Sequence, residues 1–356
     1  MMTAELKQIG ECFGLAGSFV TYKPLTNGNI NSTYKVTYNE DGCIHHYVFQ
    51  RINQNVFKKP VEIMQNIALV TRHILAKGAM SLHFYETAEG NNYLFDADGG
   101  FWRVMDFIES ITYNTCENPE AIEMVGEAFG TFQMQLADLD GAKLFETIPD
   151  FHNTYKRFAH LDAVVAKDPV GRLKEVGAEL AALADLRDRA CELSLRYSRG
   201  DFPVRVAHND TKANNVLFDK ETLRPLVVID LDTVMPGMAM YDFGDAVRFI
   251  CNTAAEDEAD LSKVSFDVDK FRAFAKGYIG QVKNALTQDE LDNLVLGALS
   301  ATVELVVRFL DDYVDGDNYF KVLSKDHNLI RTRCQLALAL DIVKKYDQLQ
   351  SIVKAC

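Results

Sequence analysis

The sequence predicts an α+β protein with a small β-rich N-terminal lobe and a larger, mainly helical C-terminal lobe, and three observations carry that reading. Up to about residue 107, short runs rich in Val, Tyr, Phe, Ile and Thr alternate with turn-forming residues. From Asn118 onward, apolar residues recur at spacings of three and four, as one buried helix face requires. A short connection near 106–110 divides the two patterns. With 356 residues the chain has room for roughly two or three packing units. The expected division is a small β-rich lobe over 1–105, a hinge over 106–110, and a helical lobe over 111–356.

Taken in order, Phe19 to Leu25, Ser32 to Tyr38 and Cys43 to Ile52 are separated by Thr-Asn-Gly at 26–28 and Asn-Glu-Asp-Gly at 39–42, which makes a β-meander. Pro60 suits a first helical turn and Gly78 a C-cap, so 60–77 is the one helix expected in this half. Leu82 to Tyr85, Asn92 to Phe95 and Trp102 to Phe107 add two or three strands. Beyond them, Ile122, Val125, Phe129, Phe132 and Leu136 mark a buried helix face. The segments 170–196, 267–284, 288–312 and 326–354 repeat that pattern. Strand-like material is then confined to Val204–Val206, Val216–Phe218 and Leu226–Ile229.

Composition narrows the function. Lys and Arg total 37 against 51 Asp and Glu, a net charge of -14, and such a field repels the phosphate backbone that dominates nucleic-acid affinity. The apolar stretch from Cys12 to Val20 is preceded by Glu5, Lys7 and Glu11 rather than by a positive leader, and no apolar run approaches the ~18 residues of a membrane span. The seven cysteines include no CxxC pair, which fits reduced thiols in the cytoplasm. The expected partners are small molecules, with neither nucleic acid nor membrane.

The densest polar run is His208-Asn209-Asp210-Thr211-Lys212-Ala213-Asn214-Asn215, set between two short apolar strands. An Asp followed five residues later by Asn, with His two residues before it, matches the kinase catalytic loop, where the Asp takes the acceptor hydroxyl's proton and the Asn binds magnesium. Fifteen residues past Asn215, the strand Leu226-Val227-Val228-Ile229 ends in Asp230, a second carboxylate for the metal. Phosphoryl transfer needs a hydroxyl aligned and phosphate charge neutralised, and a carboxylate base with Asn and Asp on a hard cation supplies both. Lys212 could stabilise the transferred group as a point charge. Asp242-Phe243-Gly244 imitates the magnesium triplet, but the spacing of Asp242, Ala246, Phe249 and Ile250 is helical, so Asp230 is the metal candidate and Asp242 a brace.

These residues resemble the aminoglycoside phosphotransferase and choline kinase superfamily, which has the bilobal protein-kinase-like fold. Within it, Asn209 to Asp219, Ile229 to Gly237, Asp242 to Phe249, Arg308 to Phe320, His327 to Gln335, Gly28 to Tyr34 and Trp102 to Asn114 are similar to the N-acetylhexosamine 1-kinases. That resemblance implies an ATP- and Mg2+-dependent enzyme that phosphorylates the anomeric hydroxyl of N-acetylglucosamine or N-acetylgalactosamine. For the sugar it implicates Arg308, Tyr319, Tyr113 and Asn29 beside Asp210. For the nucleotide it implicates the hairpin loop at Gly28, Gln50 or Arg51 on the third strand where a phosphate-pairing Lys is expected, and the hinge backbone at Asp106 and Ile108. Asp232 stands in place of the triplet's glycine, as a possible aid to the metal.

Two other readings stand beside this one. A choline- or aminoglycoside-type kinase would take a cationic acceptor, which Arg308 would repel. A non-catalytic nucleotide-binding pseudokinase would explain the missing third-strand Lys but not the retention of Asp210, Asn215 and Asp230.

Overall fold

A computed structural model describes residues 2–26, 30–113, 115 and 117–356. The chain forms two compact units. The first takes Met1–Ile111 with Leu144–Ile148 and Leu217–Val234, and the second takes Thr112–Lys143, Pro149–Val216 and Met235–Cys356.

The first unit opens with a helix that strand-rich composition does not announce, α1 over Met2–Cys12. Leu6, Ile9 and Phe13 form one stripe and pack with Val36, Tyr38, Phe49, Trp102 and Val104. At about 1.5–3 kcal/mol for each fully buried large apolar side chain, that packing sustains a helix too short to persist alone. The meander follows as β1 (Ser18–Leu25), β2 (Ser32–Glu40) and β3 (Cys43–Ile52), all antiparallel. Asp41 and Gly42 both take positive φ in the tight β2–β3 turn, as the Asp-Gly pair foretells. Helix α2 (Pro60–Ala76) carries Pro in its first turn. Short β4 (Leu94–Phe95) and buried β5 (Phe101–Asp106) complete a five-stranded sheet of order β1-β2-β3-β5-β4. Of the segment 82–85, only a single bridge from Phe84 to Met105 forms.

In the second unit, α3 (Pro119–Gln135) is capped by Asn118. A helix absent from the sequence reading, α4 (Thr154–Lys167), is capped by Asn153 and buries Phe158, Leu161 and Val164. Helix α5 (Gly177–Ser198) starts later than the expected 170, after a 3-10 turn at Leu173–Glu175. Strand β6 (Arg205–Ala207) leads into the polar run, and β7 (Val216–Phe218) leaves it as the chain passes back into the first unit, where it pairs with β8 (Pro225–Val228). Strand β9 (Met235–Gly237) pairs antiparallel with β6.

Then come α6 (Ala239–Ile250) and α7 (Val268–Val282). The expected single helix 288–312 is two, α8 (Gln288–Asp292) and α9 (Leu294–Asp315), broken at Asn293. Helix α10 (His327–Ala355) closes the chain. Helices α6 and α9 touch backbone to backbone: a Cβ on Gly244 would strike the Gly297 carbonyl, and one on Gly297 would strike the Met240 carbonyl. Among the described residues, no helix is long and apolar enough to cross a membrane.

Candidate active site

The polar run is a loop hung on α6. His208 and Asn209 donate their backbone N–H groups to the two carboxylate oxygens of Asp242, each at 2.7 Å. Thr211 donates its N–H to Asp245 at 3.0 Å and its hydroxyl to the Asp242 carbonyl at 2.6 Å. Asn209 sits at φ 64°, a left-handed conformation that Asn tolerates, and this turns the chain so that successive N–H groups face one carboxylate. The tempting Asp-Phe-Gly triplet therefore lies inside α6, buried, with its Asp spent on the loop backbone. Burial pushes the Asp242 carboxyl above its usual range, which the two N–H donors and the nearby His208 only partly offset.

His208 is fully buried, with its ring edge-on to Phe129 and Phe132, and its Nδ1 accepts the Asp210 N–H at 3.2 Å, which leaves its proton on Nε2. Asp210 keeps a quarter of its side chain exposed and meets the Lys212 ammonium at 2.8 Å. Asn215 ends a single 3-10 turn and donates its amide nitrogen to the Asp210 carbonyl at 2.9 Å and carboxylate at 3.3 Å. That orientation reserves the Asn215 amide oxygen as a hard donor. Burial works against the Lys212 charge, but Asp210 and then Asp245 more than offset it, so its pKa lies above the ordinary value. Burial would raise the Asp245 carboxyl, yet Arg248, at 2.9 Å, and Lys212 hold it below the carboxylate norm.

On α9 of the same unit, Glu304 and Arg308 stand one helical turn apart, and among the described residues they form no ion pair with each other. Glu304 is buried and taken by His152 Nδ1 at 2.9 Å and the Thr154 hydroxyl at 3.0 Å. Burial opposes both charges, but each partner overrides it: His152 titrates above, and Glu304 below, its ordinary value. Among the described residues Arg308 forms no ion pair; its guanidinium lies 5.8 Å from the Phe151 ring, 5.9 Å from Tyr319 and 5.5 Å from Phe320. Tyr319 is 70% exposed, and Tyr113 is half-buried. Asn29, the remaining sugar candidate, lies outside the described residues, as does Gly28.

In the first unit, Gln50 on β3 donates to the Thr33 hydroxyl at 3.1 Å and accepts a fork from Arg103, which sits directly across on β5. Arg51 points to the other sheet face and approaches Asp96 at 3.8 Å. Glu62 pairs with Lys59 at 3.0 Å. Asp106 ends β5, with its carboxylate bonded to the Tyr85 hydroxyl at 2.8 Å and His83 at 3.2 Å, and the Ile108 carbonyl accepts from Ser110 at 2.9 Å. Asp230 follows β8 at φ 59°, a left-handed conformation that Asp, like Asn, adopts more readily than other side chains. Asp232, two residues on, is 2% exposed and ion-paired with Arg103.

Sequence reasoning passed over Arg103, Asp245, Arg248 and His152. Arg103 alone left a signal, a charge inside the apolar strand Phe-Trp-Arg-Val-Met.

Comparison with known proteins agrees with this layout. Residues 21–274 match the phosphotransferase enzyme family, well over half of the chain. A microcompartment-associated aminopropanol kinase superposes with a TM-score of 0.64 at 16% identity, covering 98% of each chain. An amicoumacin kinase, solved with AMP-PNP and Ca2+, gives 0.60 at 14%, covering 96% of this chain and 93% of its own. A choline kinase from Cryptosporidium parvum gives 0.57 at 15%, covering 97% of each. At these identities the likeness shows the fold, an antiparallel-sheet lobe and a helical lobe of kinase type. On the family match, the chain belongs to the phosphotransferase enzyme family.

Proposed function

We propose that this phosphotransferase moves the γ-phosphoryl group of ATP to the anomeric C1 hydroxyl of an N-acetylhexosamine, N-acetylglucosamine or N-acetylgalactosamine. Asp210 is the general base: its carboxylate, half of it held by Lys212 and half by Asn215, stands on a loop whose backbone cannot drift from α6. Lys212 serves the transferred phosphoryl group as a point charge once the sugar hydroxyl has taken its place at Asp210.

The implied Mg2+ falls to Asn215 and Asp230. Among the described residues no three His, Cys, Asp or Glu side chains form a metal cage. Mg2+ is usually held by one or two carboxylates with phosphate and water completing the shell, and Asp230 with Asn215 would supply donors of that kind. When bound, the ion neutralises charge on the phosphates. Adenine is assigned to the backbone of the 106–110 hinge at Asp106 and Ile108, and the phosphates to the loop at Gly28 and the neighbourhood of Gln50.

The acceptor assignment rests on Arg308. A fixed cation that forms no ion pair among the described residues, ringed by Phe151, Tyr319 and Phe320, offers hydrogen bonds to hydroxyl and acetamido oxygens and apolar faces to a sugar ring. Tyr319, Tyr113 and Asn29 complete the proposed sugar contacts. The same rings would attract a cationic acceptor, as in amino-alcohol kinases of like fold, were the guanidinium not among them. Incubating the protein with ATP, Mg2+ and a panel of N-acetylhexosamines, hexoses, choline and aminoglycosides, then locating the new phosphate by 31P NMR, decides the matter. A C1 phosphate on the N-acetylhexosamines supports the proposal. Turnover of choline or an aminoglycoside with the sugars untouched transfers it to the cationic class, and no turnover with any of these acceptors refutes the N-acetylhexosamine assignment.

A further inference from the structure

The kinase arrangement uses a Lys on the third strand, paired with a Glu on a helix, to keep the phosphate site in register with the metal-binding turn. This chain has neither: Gln50 stands on β3, and Glu62 is paired with Lys59. Its first unit holds another buried pair. Arg103 is 3% exposed, and its guanidinium reaches in two directions, with Nε on the Gln50 amide oxygen at 2.8 Å and one terminal nitrogen on Asp232. The second oxygen of Asp232 accepts the Asn31 amide at 2.8 Å, and Asn31 in turn accepts the Asn53 N–H at 2.9 Å. On the α2 side, Asn66, also buried, donates to the Val234 carbonyl at 3.0 Å. The turn at 230–234 is thereby tied to β5, to β3 through Gln50, to the residue at the start of β2, and to α2.

We infer that the Arg103–Asp232 pair is the positioning device of the metal and phosphate site, standing in for the missing Lys–Glu pair and holding Asp230 in its left-handed conformation for the cation. This rests on the assignment of Mg2+ to Asn215 and Asp230. Arg103 and Asp232 are positioning residues: with both carboxylate oxygens of Asp232 already taken and Arg103 buried, they act through Asp230 and Gln50. Asp232 is thereby a tether for the metal-binding turn instead of a ligand.

A buried ion pair exchanged for apolar residues of similar volume usually leaves a protein as stable as before, whereas loss of one partner does not. The double variant R103M/D232L therefore separates positioning from mere packing. Calorimetric titration with ATP, with and without Mg2+, reads the factor by which the metal tightens nucleotide binding. The expected result is a folded double variant whose metal-free ATP affinity stays within about threefold of wild type while the Mg2+ enhancement falls at least tenfold. R103K, which keeps a cation against Asp232, is expected to recover most of the enhancement. Should the double variant fail to fold, the isosteric D232N reads the same quantity, with the same tenfold loss expected. A folded variant with its Mg2+ enhancement intact overturns this inference alone. A wild type whose nucleotide binding ignores Mg2+ overturns the metal assignment and this inference with it.

Discussion

Replacing Asp242 tests how the catalytic loop is held. Its carboxylate receives the N–H groups of His208 and Asn209, each at 2.7 Å, in a buried place. Asp242→Ala leaves both donors buried and unsatisfied, at about 1–3 kcal/mol each, so a loss of about 2–6 kcal/mol is expected. One term opposes it. Because burial raises the folded carboxyl above its unfolded value of 3.8, the stability tied to the protonated acid is fully present below 3.8 and is lost as pH rises through the folded value, so at neutral pH the buried charge detracts from stability. Removing the charge at neutral pH returns that part. Asp242→Asn also removes the charge but keeps one acceptor oxygen, so it is expected to cost about half as much as Asp242→Ala. Against a total of ~5–15 kcal/mol the alanine variant remains folded but visibly weakened. Urea unfolding followed by circular dichroism at pH 7 measures both. If Asp242→Ala unfolds within about 1 kcal/mol of wild type, the two N–H groups do not depend on this carboxylate and the account of the loop fails.

Three further outcomes are expected. Asp210→Asn, at a partly exposed position, should unfold like the wild type yet lose about 100- to 10,000-fold in turnover, the range for a missing general base; rapid-quench kinetics showing more than half the wild-type rate of the chemical step would remove Asp210 from that role. Arg308→Ala forfeits charge-assisted hydrogen bonds worth about 1.5–3 kcal/mol, so the sugar KM should rise about 10- to 150-fold with the ATP KM within a few fold, and an unchanged sugar KM would detach Arg308 from the acceptor. The His152–Glu304 pair should give a stability contribution bounded on both sides. The His152 share is full below its ordinary 6.5 and lost as pH climbs through the raised folded value, while the Glu304 share holds above 4.5 and is lost as pH falls through the lowered one. Melting temperatures of wild type and His152→Gln over pH 4 to 9 should therefore converge toward the alkaline end, and a constant difference would refute the ion pair.

What was legible in the sequence depended on whether the deciding partners were near in the chain. The meander could be read because Asn-Glu-Asp-Gly at 39–42 states its own turn and the flanking strands are apolar and β-branched. Helix α1 was hidden because its stripe of Leu6, Ile9 and Phe13 is too short to declare a helix until the sheet beneath it exists. Helix α4 did leave signs, Asn153 as a cap and Phe158, Leu161 and Val164 at spacings of three, and these were readable. The break at Asn293 was not, since apolar residues continue on both sides of it; only the Thr287–Glu290 capping box marks where α8 begins.

The site divides along the same line. Asp210, Asn215 and their loop stand out because their short spacing matches that of the kinase catalytic loop, whereas the partners that burial brings together are remote: Asp242 and Asp245 lie about 34 positions from the loop they hold, Glu304 lies 152 beyond His152, and Asp232 lies 129 beyond Arg103. No local pattern can announce such pairs, because burial selects each partner only after the helices have packed. The packing itself carries functional information. Asp242 and Asp245 on α6 fix the loop that bears Asp210, while Arg308 and Glu304 ride on α9, and Gly244 and Gly297 let those two helices meet backbone to backbone. The proposed base and the proposed acceptor-binding guanidinium are thus carried by a single helix pair with little freedom to slide. An acceptor held by both would be oriented by the scaffold, which is where phosphoryl transfer draws much of its rate.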